Sequence, residues 1–360
     1  MFLKKFNPVF RAAGPFPKLR RPLAAAACTA VFLALPLLLE NTSWAFVIRI
    51  LGLMGLYGIL ALGVNLVLGY VGLLDLGFMA FYAIGAYTTA LLSLRGVGFW
   101  WCLPASVAAA MGVRALLGWT VLRLRGDYLS IVTLGFGEIT RITLNNWDSL
   151  TNGPKGISLL SSLQVPPMRF FGFPLESNTH FFYLIYAFLA LGLVACARLD
   201  RSRIGRAWMA LRDDELAARA MGVNAPHLKN LAFTLSAGFA GVAGALFVRW
   251  ENFVTPESFT FWESALLVAM VVLGGMGSLP GVLMGVALIV GLPEVLRSDV
   301  FRWIGGAQAV NARYLLFGAL LVVMAILRPQ GFWPRSAASA ALPPQVPRPP
   351  DEAERLPPKE

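Results

Sequence analysis

Long apolar runs dominate this sequence and restrict what it can fold into. Of its 360 residues, 57% are hydrophobic and 14% are charged, and the mean hydropathy is +0.67. A helix of about 20 apolar residues spans the hydrocarbon core of a bilayer, and soluble domains carry more charge than this. The sequence therefore predicts an all-α polytopic membrane protein.

About ten membrane-spanning helices are predicted, within a range of about 8 to 11. The apolar run at 263–297 is divided in two because GGMGSLPG in its middle is typical of a turn. The predicted spans are 22–39, 46–69, 72–94, 99–121, 128–146, 180–197, 230–250, 263–279, 281–297 and 313–328.

The distribution of Lys and Arg predicts the orientation of these spans. With the N-terminus in the cytoplasm, twenty of the thirty basic residues fall in cytoplasmic segments and eight fall outside, while Arg114 and Arg141 lie within spans. Basic residues are retained on the cytoplasmic side of membranes. Both termini are therefore expected in the cytoplasm, and the net charge of +11 needs no nucleic-acid partner to explain it.

The chain divides into three parts by composition. Residues 1–21 form a basic cytoplasmic arm, 22–334 form the transmembrane domain, and 335–360 form a proline-rich cytoplasmic tail. The tail has too few apolar residues to bury a core and is expected to be disordered. Within the transmembrane domain, an external loop is predicted over 147–179 and a cytoplasmic loop over 198–230.

The cytoplasmic loop 198–230 is predicted to contain a short amphipathic helix that can dock on another molecule. Asp213 and Asp214 can cap the N-terminus of this helix, and Glu215 and Arg219 have the spacing of an i,i+4 ion pair. The apolar face and the glycine expected to end the helix are Leu216, Ala217, Ala220, Met221 and Gly222.

Catalytic and metal-binding patterns are missing from the sequence. It contains two histidines, His180 and His227, far apart in the chain, so a histidine-based metal site or catalytic triad is not expected. The dipeptide Gly-Lys does not occur, which excludes a P-loop. No cofactor is predicted, and any ATP would have to be bound by a separate subunit.

Three ionisable residues are predicted at or near membrane depth. Asp75 either caps a helix at the cytoplasmic surface, which the capping preference of Asp favours, or lines a pathway. Glu138 and Arg141 are three residues apart on one predicted helix and can pair. Such a pair is equally consistent with a structural role and with lining a wet cavity.

Two glycine-rich segments interrupt the apolar runs: GYVGLLDLG at 69–77 and VLGGMGSLPG at 272–281. Breaks of this kind in transporter helices free backbone groups that can meet a polar solute. Together with the ionisable residues, they define the candidate translocation pathway as Gly69, Gly72, Asp75, Gly77, Glu138, Arg141, Gly274, Gly275 and Gly277.

Three stretches together carry a family resemblance. They are LRLRGDYLSIVTLGFGEITRITLNNWDSLTNGPKGIS at 122–158, IGRAWMALRDDELAARAMGVN at 204–224 and VTPESFTFWESALLVAMVVLGGMGSLPGV at 254–282, with RPQG at 328–331 adding to them. The chain resembles the LivM-type permease subunits of branched-chain amino acid ABC importers from about Ala45 to Trp333. Within the second stretch, ELAARAMG resembles the E-x-A-A-x-x-x-G core of the importer loop that engages the ATPase.

The resemblance implies a multi-pass permease of the bacterial inner membrane that has no ATPase activity of its own. It implies four kinds of partner besides the lipid bilayer: a homologous LivH-type permease, two cytoplasmic ABC ATPases and a periplasmic binding protein that delivers leucine, isoleucine or valine. In such importers the helix at 213–222 would be the ATPase-coupling element.

Three other functions remain open at this stage. A permease of the same family could carry another small solute, such as urea or a short amide. An intramembrane enzyme could use Asp75, Glu138 and Arg141 as its site, although the ionisable groups are sparse. A passive channel is a third possibility.

Overall fold

The computed structural model describes residues 36, 45–121, 127–160, 165–170, 173–174, 177–291, 293, 322 and 331–333. The basic arm and the proline-rich tail lie outside these residues. The first and last predicted spans also lie outside them, except for one residue in each.

The described chain is mostly helical. Its α-helices are α1 Ala45–Val64, α2 Phe78–Leu94, α3 Phe99–Val121, α4 Asp127–Asn146, α5 Asp148–Thr151, α6 Asn178–Arg201, α7 Arg203–Asp213, α8 Glu215–Ala220, α9 Ala225–Glu251, α10 Phe261–Gly274 and α11 Leu279–Val286. Two of them continue as π-helical segments, α1 into Asn65–Val71 and α11 into Ala287–Gly291.

Five helical segments of the described chain are long and apolar enough to cross a membrane: Phe46–Val71, Phe99–Val121, Asn178–Arg201, Ala225–Glu251 and Pro256–Gly274. Two further apolar helices, Phe78–Leu94 and Leu279–Gly291, are shorter. The helix Asp127–Asn146 covers the predicted span 128–146 but is not one of the five. The structure thus agrees with a helical membrane protein, while the count of about ten spans stays a prediction.

Helix α9 lies at the centre of the bundle and packs against α1, α2 and α3. Glycines allow this close approach, because a side chain at Gly241 would lie 2.8 Å from Cα of Val107, and one at Gly244 would lie 2.6 Å from the carbonyl oxygen of Tyr82. Small residues let helix backbones meet closely in membranes. The glycines of this predicted span therefore serve helix packing.

The first predicted helix break is present within 69–77, but the span predicted to follow it begins later than expected. The π-helical segment ends at Val71, and Gly72 has a left-handed φ of 79°. Helix α2 begins at Phe78, so the span predicted at 72–94 starts six residues late. The irregular backbone from Gly72 to Gly77 does not take part in the helix, because a left-handed glycine typically ends one.

The second predicted break, the turn in GGMGSLPG, is also present. Helix α10 ends at Gly274, and Gly275 and Gly277 have φ values of 123° and 81°. Helix α11 then begins at Leu279, with Oγ of Ser278 accepting a hydrogen bond from the backbone N–H of Gly281. Both breaks lie at the same end of the bundle as the loop that contains α7 and α8. Arg212 of α7 contacts Gly69 in the first break, and Asn65 beside Gly69 contacts Gly277 in the second.

The opposite end of the bundle is formed by the segments around 147–179 and 251–260. Strand β1 (Ile157–Ser158) pairs antiparallel with β4 (Phe253–Val254), while β2 (Arg169–Phe170) pairs with β3 (Phe173–Pro174). Arg49 adds an ion pair of 2.9 Å to Glu251. The described residues of the long loop thus contain short helical and extended pieces.

Candidate functional site

The polar loop 198–230 folds into two helices, where the sequence had predicted one. Helix α7 (Arg203–Asp213) follows α6 after a bend at Ser202, whose Oγ accepts a hydrogen bond of 3.1 Å from the N–H of Gly205. Helix α8 (Glu215–Ala220) follows directly after Asp214. The prediction recognised α8 and treated the amphipathic segment before it as plain loop.

The ends of α8 are those that the sequence predicted, with one exception. Oδ1 of Asp214 accepts hydrogen bonds from the N–H groups of Leu216 and Ala217 at 2.9 and 3.0 Å, which satisfies two orphan donors of the first turn. Asp213 is instead the last residue of α7. Gly222 follows the helix with a left-handed φ of 86°, which is the conformation that favours glycine there.

Glu215 ties α8 to the base of α9. Its carboxylate pairs with Arg219 in the predicted i,i+4 geometry and with Nζ of Lys229 at 2.7 Å. Partial burial acts to raise the pKa of Glu215, but the hydrogen bonds and charges of Lys229 and Arg219 outweigh it and hold this pKa below its ordinary value. The carboxylate is therefore ionised at neutral pH and links the two helices.

Trp208 is the main anchor of α7, and the sequence did not reveal it. Its side chain is fully buried, and its Nε1 donates a hydrogen bond of 2.8 Å to the carbonyl oxygen of Leu228 in the first turn of α9. Leu211, Ala218 and Ala225 form a separate small apolar cluster, against which Leu228 packs. The signal that could have indicated this anchor was a lone tryptophan in an otherwise polar, helix-forming segment.

The predicted docking face of α8 is open to solvent. Leu216 and Met221 are 75% and 85% exposed, and the smaller Ala217 and Ala220 beside them are exposed too. Ala218, on the opposite side of the helix, is buried in a cluster with Leu211 and Ala225. The loop is thus a structured platform that presents two large apolar side chains outward, while its inner side is bound to α9.

The two glycine breaks meet in space, and Asn65 joins them. Its Oδ1 accepts a hydrogen bond of 2.9 Å from the backbone N–H of Gly277, and both residues are buried. A side chain at Gly69 would overlap Oδ1 of Asn65 and lie 2.7 Å from the nitrogen of Gly277. Sequence reasoning missed Asn65, whose signal was an amide within an otherwise apolar run.

The other glycines of the breaks permit close packing or an unusual backbone conformation. A side chain at Gly77 would overlap the carbonyl oxygen of Thr133 in α4, and one at Gly274 would overlap that of Gly281. Gly72 and Gly275 have positive φ values. In this structure the glycines thus bring backbone segments together.

Asp75 is buried, not exposed at a surface. Its Oδ1 accepts a hydrogen bond of 3.1 Å from the N–H of Gly77. Gly77 is itself the N-cap of α2, which has no side-chain cap, so the capping role predicted for Asp75 is wrong. Its Oδ2 accepts a hydrogen bond from Nη2 of Arg114, a residue that the sequence placed in a span without a partner. The Arg114 guanidinium lies between the rings of Phe81 and Phe233, 4.3 and 4.1 Å from their centroids. Asp75 is therefore buried inside the protein, in the break that lies at the same end of the bundle as the polar loop.

Glu138 and Arg141 pair as predicted, in a different place from Asp75. Nε of Arg141 lies 3.0 Å from a carboxylate oxygen of Glu138, and its Nη1 lies 3.6 Å from Glu257. Both side chains of the i,i+3 pair are partly exposed. Among the described residues, the three candidate ionisable groups thus form two separate ion pairs, and no group of three metal-binding side chains occurs.

Comparison with known proteins identifies similar transport proteins. Residues 46–325 match the family described as branched-chain amino acid transport system / permease component. The LivM permease proteins of the high-affinity branched-chain amino acid transport system in Salmonella typhimurium and Escherichia coli are each 44% identical over 327 residues, covering 83% of this chain and 73% of theirs. LivH of Escherichia coli is 26% identical over 288 residues, covering 76% of this chain and 90% of its own. No solved structure matches the chain.

Proposed function

The chain belongs to the family of branched-chain amino acid transport permeases, and on this premise we propose that it is the LivM-type membrane subunit of an ABC importer. It moves leucine, isoleucine or valine across the bacterial inner membrane. Separate subunits bind and hydrolyse the ATP.

The chain is a transport permease and not an enzyme, because the relatives that establish its family are permeases. The geometry agrees with this assignment. The hypothetical enzyme site required Asp75 together with Glu138 and Arg141, whereas Asp75 pairs with Arg114 and Arg141 pairs with Glu138 and Glu257. These residues form separate ion pairs and do not form one cluster.

The exposed face of α8 is the observation that carries the proposal. Leu216 and Met221 project from a loop that is otherwise held to α9 by Trp208 and by Glu215. A cytoplasmic ATPase with an apolar cleft would cover these two side chains, gaining the free energy of burying apolar surface. Because the loop is bound to the helix bundle, movement of the ATPases would be passed to α6 and α9 instead of being absorbed by the loop.

The loop and both termini lie on the cytoplasmic side in this proposal. Its partners are two cytoplasmic ATPases, a second permease of the LivH type and a periplasmic binding protein. The positive-inside distribution of Lys and Arg supports the orientation. The similarity of the chain to both LivM and LivH proteins supports a pair of homologous permeases.

The pathway is proposed to run beside the two joined breaks. There α1 and α10 end at non-helical backbone, which is exposed at Gly72 and buried at Gly275. Helix ends in such breaks present backbone groups that suit the carboxylate and ammonium of a zwitterionic amino acid. Glu138 and Arg141, which are partly exposed on α4, are proposed as polar residues at the margin of this pathway.

Uptake measurements test the proposal. Proteoliposomes containing this chain, the second permease and the two ATPases are expected to accumulate labelled leucine when ATP and the loaded binding protein are supplied. The purified chain alone is expected to hydrolyse no ATP. A matched complex in which the P-loop lysine of the ATPases is replaced should accumulate none.

Competition identifies the solute. Excess unlabelled isoleucine or valine should abolish uptake of labelled leucine, and excess urea or acetamide should leave it unchanged. Competition by urea or acetamide, without competition by valine, would overturn the branched-chain assignment. Leucine flux at full rate without the ATPases would instead indicate a passive channel.

A further inference from the structure

Helix α7 contacts the first break directly, through Arg212. Nη1 of Arg212 donates a hydrogen bond to the carbonyl oxygen of Gly69 in the π-helical segment. In a continuing helix this oxygen would accept a bond from an N–H about one turn later. The helix ends at Val71, so a side chain from the polar loop takes the place of that donor.

The contact involves the whole Arg212 side chain and not its tip alone. Its Cγ lies 2.9 Å from where a side chain on Gly72 would begin, and its Cβ and Cδ lie beside the same point. The aliphatic stem therefore crosses the left-handed residue that ends the helix, while the guanidinium reaches back to Gly69. A cation at this position also suits the negative end of the helix dipole.

Gly69 is the point where the loop and both breaks come together. On one side its carbonyl oxygen binds Arg212. On the other side its Cα faces Oδ1 of Asn65, which holds the N–H of Gly277 in the second break. The three segments come from distant parts of the chain, and a displacement of the first break changes the geometry of both contacts.

The loop can move this junction because it behaves as one body with the start of α9. Trp208 fixes α7 to Leu228, and Glu215 fixes α8 to Lys229. Arg212 lies between these two attachments, close to the end of α7. Movement of the exposed face of α8 is therefore passed to Gly69 through the contacts of Arg212.

We propose that Arg212 is a positioning residue that couples the ATPase-docking loop to the two helix breaks. When the loop moves, Arg212 pulls on or releases the end of the π-helical segment, and Asn65 carries that change to Gly277. This inference rests on the proposed function, because it assumes that an ATPase moves the loop. It adds which residue transmits that movement and where it arrives.

The test uses the complete importer in proteoliposomes and measures labelled leucine taken up per ATP hydrolysed. Arg212→Met keeps most of the aliphatic stem and removes the donors, and Arg212→Lys restores a charge and one point of donation. Arg206→Met is the matched control, since Arg206 is also on α7 and bonds a local carbonyl, that of Arg201, at 3.0 Å.

Arg212→Met is expected to retain both ATPases during purification and to unfold near the wild-type temperature. Its ratio of leucine to ATP should fall about fivefold or more, within the usual range of coupling between distant sites. Arg212→Lys should recover part of this ratio, and Arg206→Met should match the wild type.

Two outcomes would overturn the inference. One is a wild-type ratio in Arg212→Met. The other is a loss of uptake fully explained by lower thermal stability or by lost ATPase subunits, which would make the contact structural. Failure of the proposed function would look different, because the wild-type complex itself would then take up no leucine or would not bind the ATPases.

Discussion

Arg114 and Asp75 form an ion pair that is almost completely excluded from solvent, with Nη2 of Arg114 bonded to Oδ2 of Asp75. The pair joins α3 to the non-helical segment of the first break. Phe81 and Phe233 enclose the guanidinium from both sides. A charge in this position cannot be hydrated if its partner is lost.

Removing one member of this pair should therefore destabilise the protein more than removing both. Arg114→Met or Asp75→Asn alone should each cost about 3–5 kcal/mol, because each leaves a buried group without its partner. Asp75→Asn keeps an oxygen that can accept from Gly77, so the double variant should recover a large part of the loss. Thermal unfolding in detergent, monitored by size-exclusion chromatography, measures the loss of stability in the single and double variants.

The control for this experiment is Leu116→Ala, on the same helix as Arg114 but 70% exposed. It should unfold close to the wild-type temperature. If the double variant were as unstable as the sum of the two single variants, the pair would not be coupled.

The exposed apolar face of α8 should be needed for ATPase binding and dispensable for folding. Leu216→Glu and Met221→Glu place charges on a surface that the proposal buries under a partner. Each should weaken binding of the ATPases by about tenfold or more, equivalent to roughly 1.4 kcal/mol. The amount of folded permease should stay unchanged, and copurification of the ATPases at rising salt and detergent would measure the loss.

Leu160→Glu is the matched control for the docking face, because Leu160 is 81% exposed and belongs to the segment at the opposite end of the bundle. Normal ATPase binding is expected for this variant. Equal loss of ATPases in the Leu160 and Leu216 variants would argue against docking on α8.

Helix packing at α9 should depend on glycine where backbones touch. Gly244→Val would drive a side chain toward the carbonyl oxygen of Tyr82, and it should cost about 1–3 kcal/mol or more through overpacking. Gly112→Val on α3 is the comparison, because no atom lies within 4 Å of its added side chain. Unfolding temperatures of the two variants should differ clearly, and equal temperatures would contradict the close contact.

The attachment of α8 should weaken in acid. Ion pairs hold the pKa of Glu215 below its ordinary value of about 4.3. A carboxylate with a lowered pKa contributes stability that is complete above that ordinary value and is lost as the pH falls through the lowered one. Amide exchange protection in 214–222, corrected for intrinsic rates, should therefore fall on acidification below about pH 4.3.

The variant Glu215→Gln separates this effect from general acid unfolding. It should show lower protection at neutral pH and a flatter dependence on pH over the same range. Identical profiles for Glu215→Gln and the wild type would mean that Lys229 and Arg219 do not hold α8 through this carboxylate.

The sequence determined the class of fold and much of α8, because both depend on local properties. Apolar runs of bilayer length require helices, and α8 begins after Asp214 and ends before Gly222 as capping preferences indicate. The positions of both breaks follow from glycine, which alone adopts positive φ at little cost. The pair of Glu138 and Arg141 follows from helical spacing.

Tertiary structure alone decided which distant groups meet. Asp75 and Arg114, Asn65 and Gly277, and Arg212 and Gly69 are separated by 39, 212 and 143 residues. Their contacts depend on how the helices cross and on which buried polar atoms are left without a local partner. Periodicity and capping preferences describe a single segment at a time, so they place each of these residues on its helix or break without naming its partner. In this protein those partners connect the surface loop with the interior of the bundle.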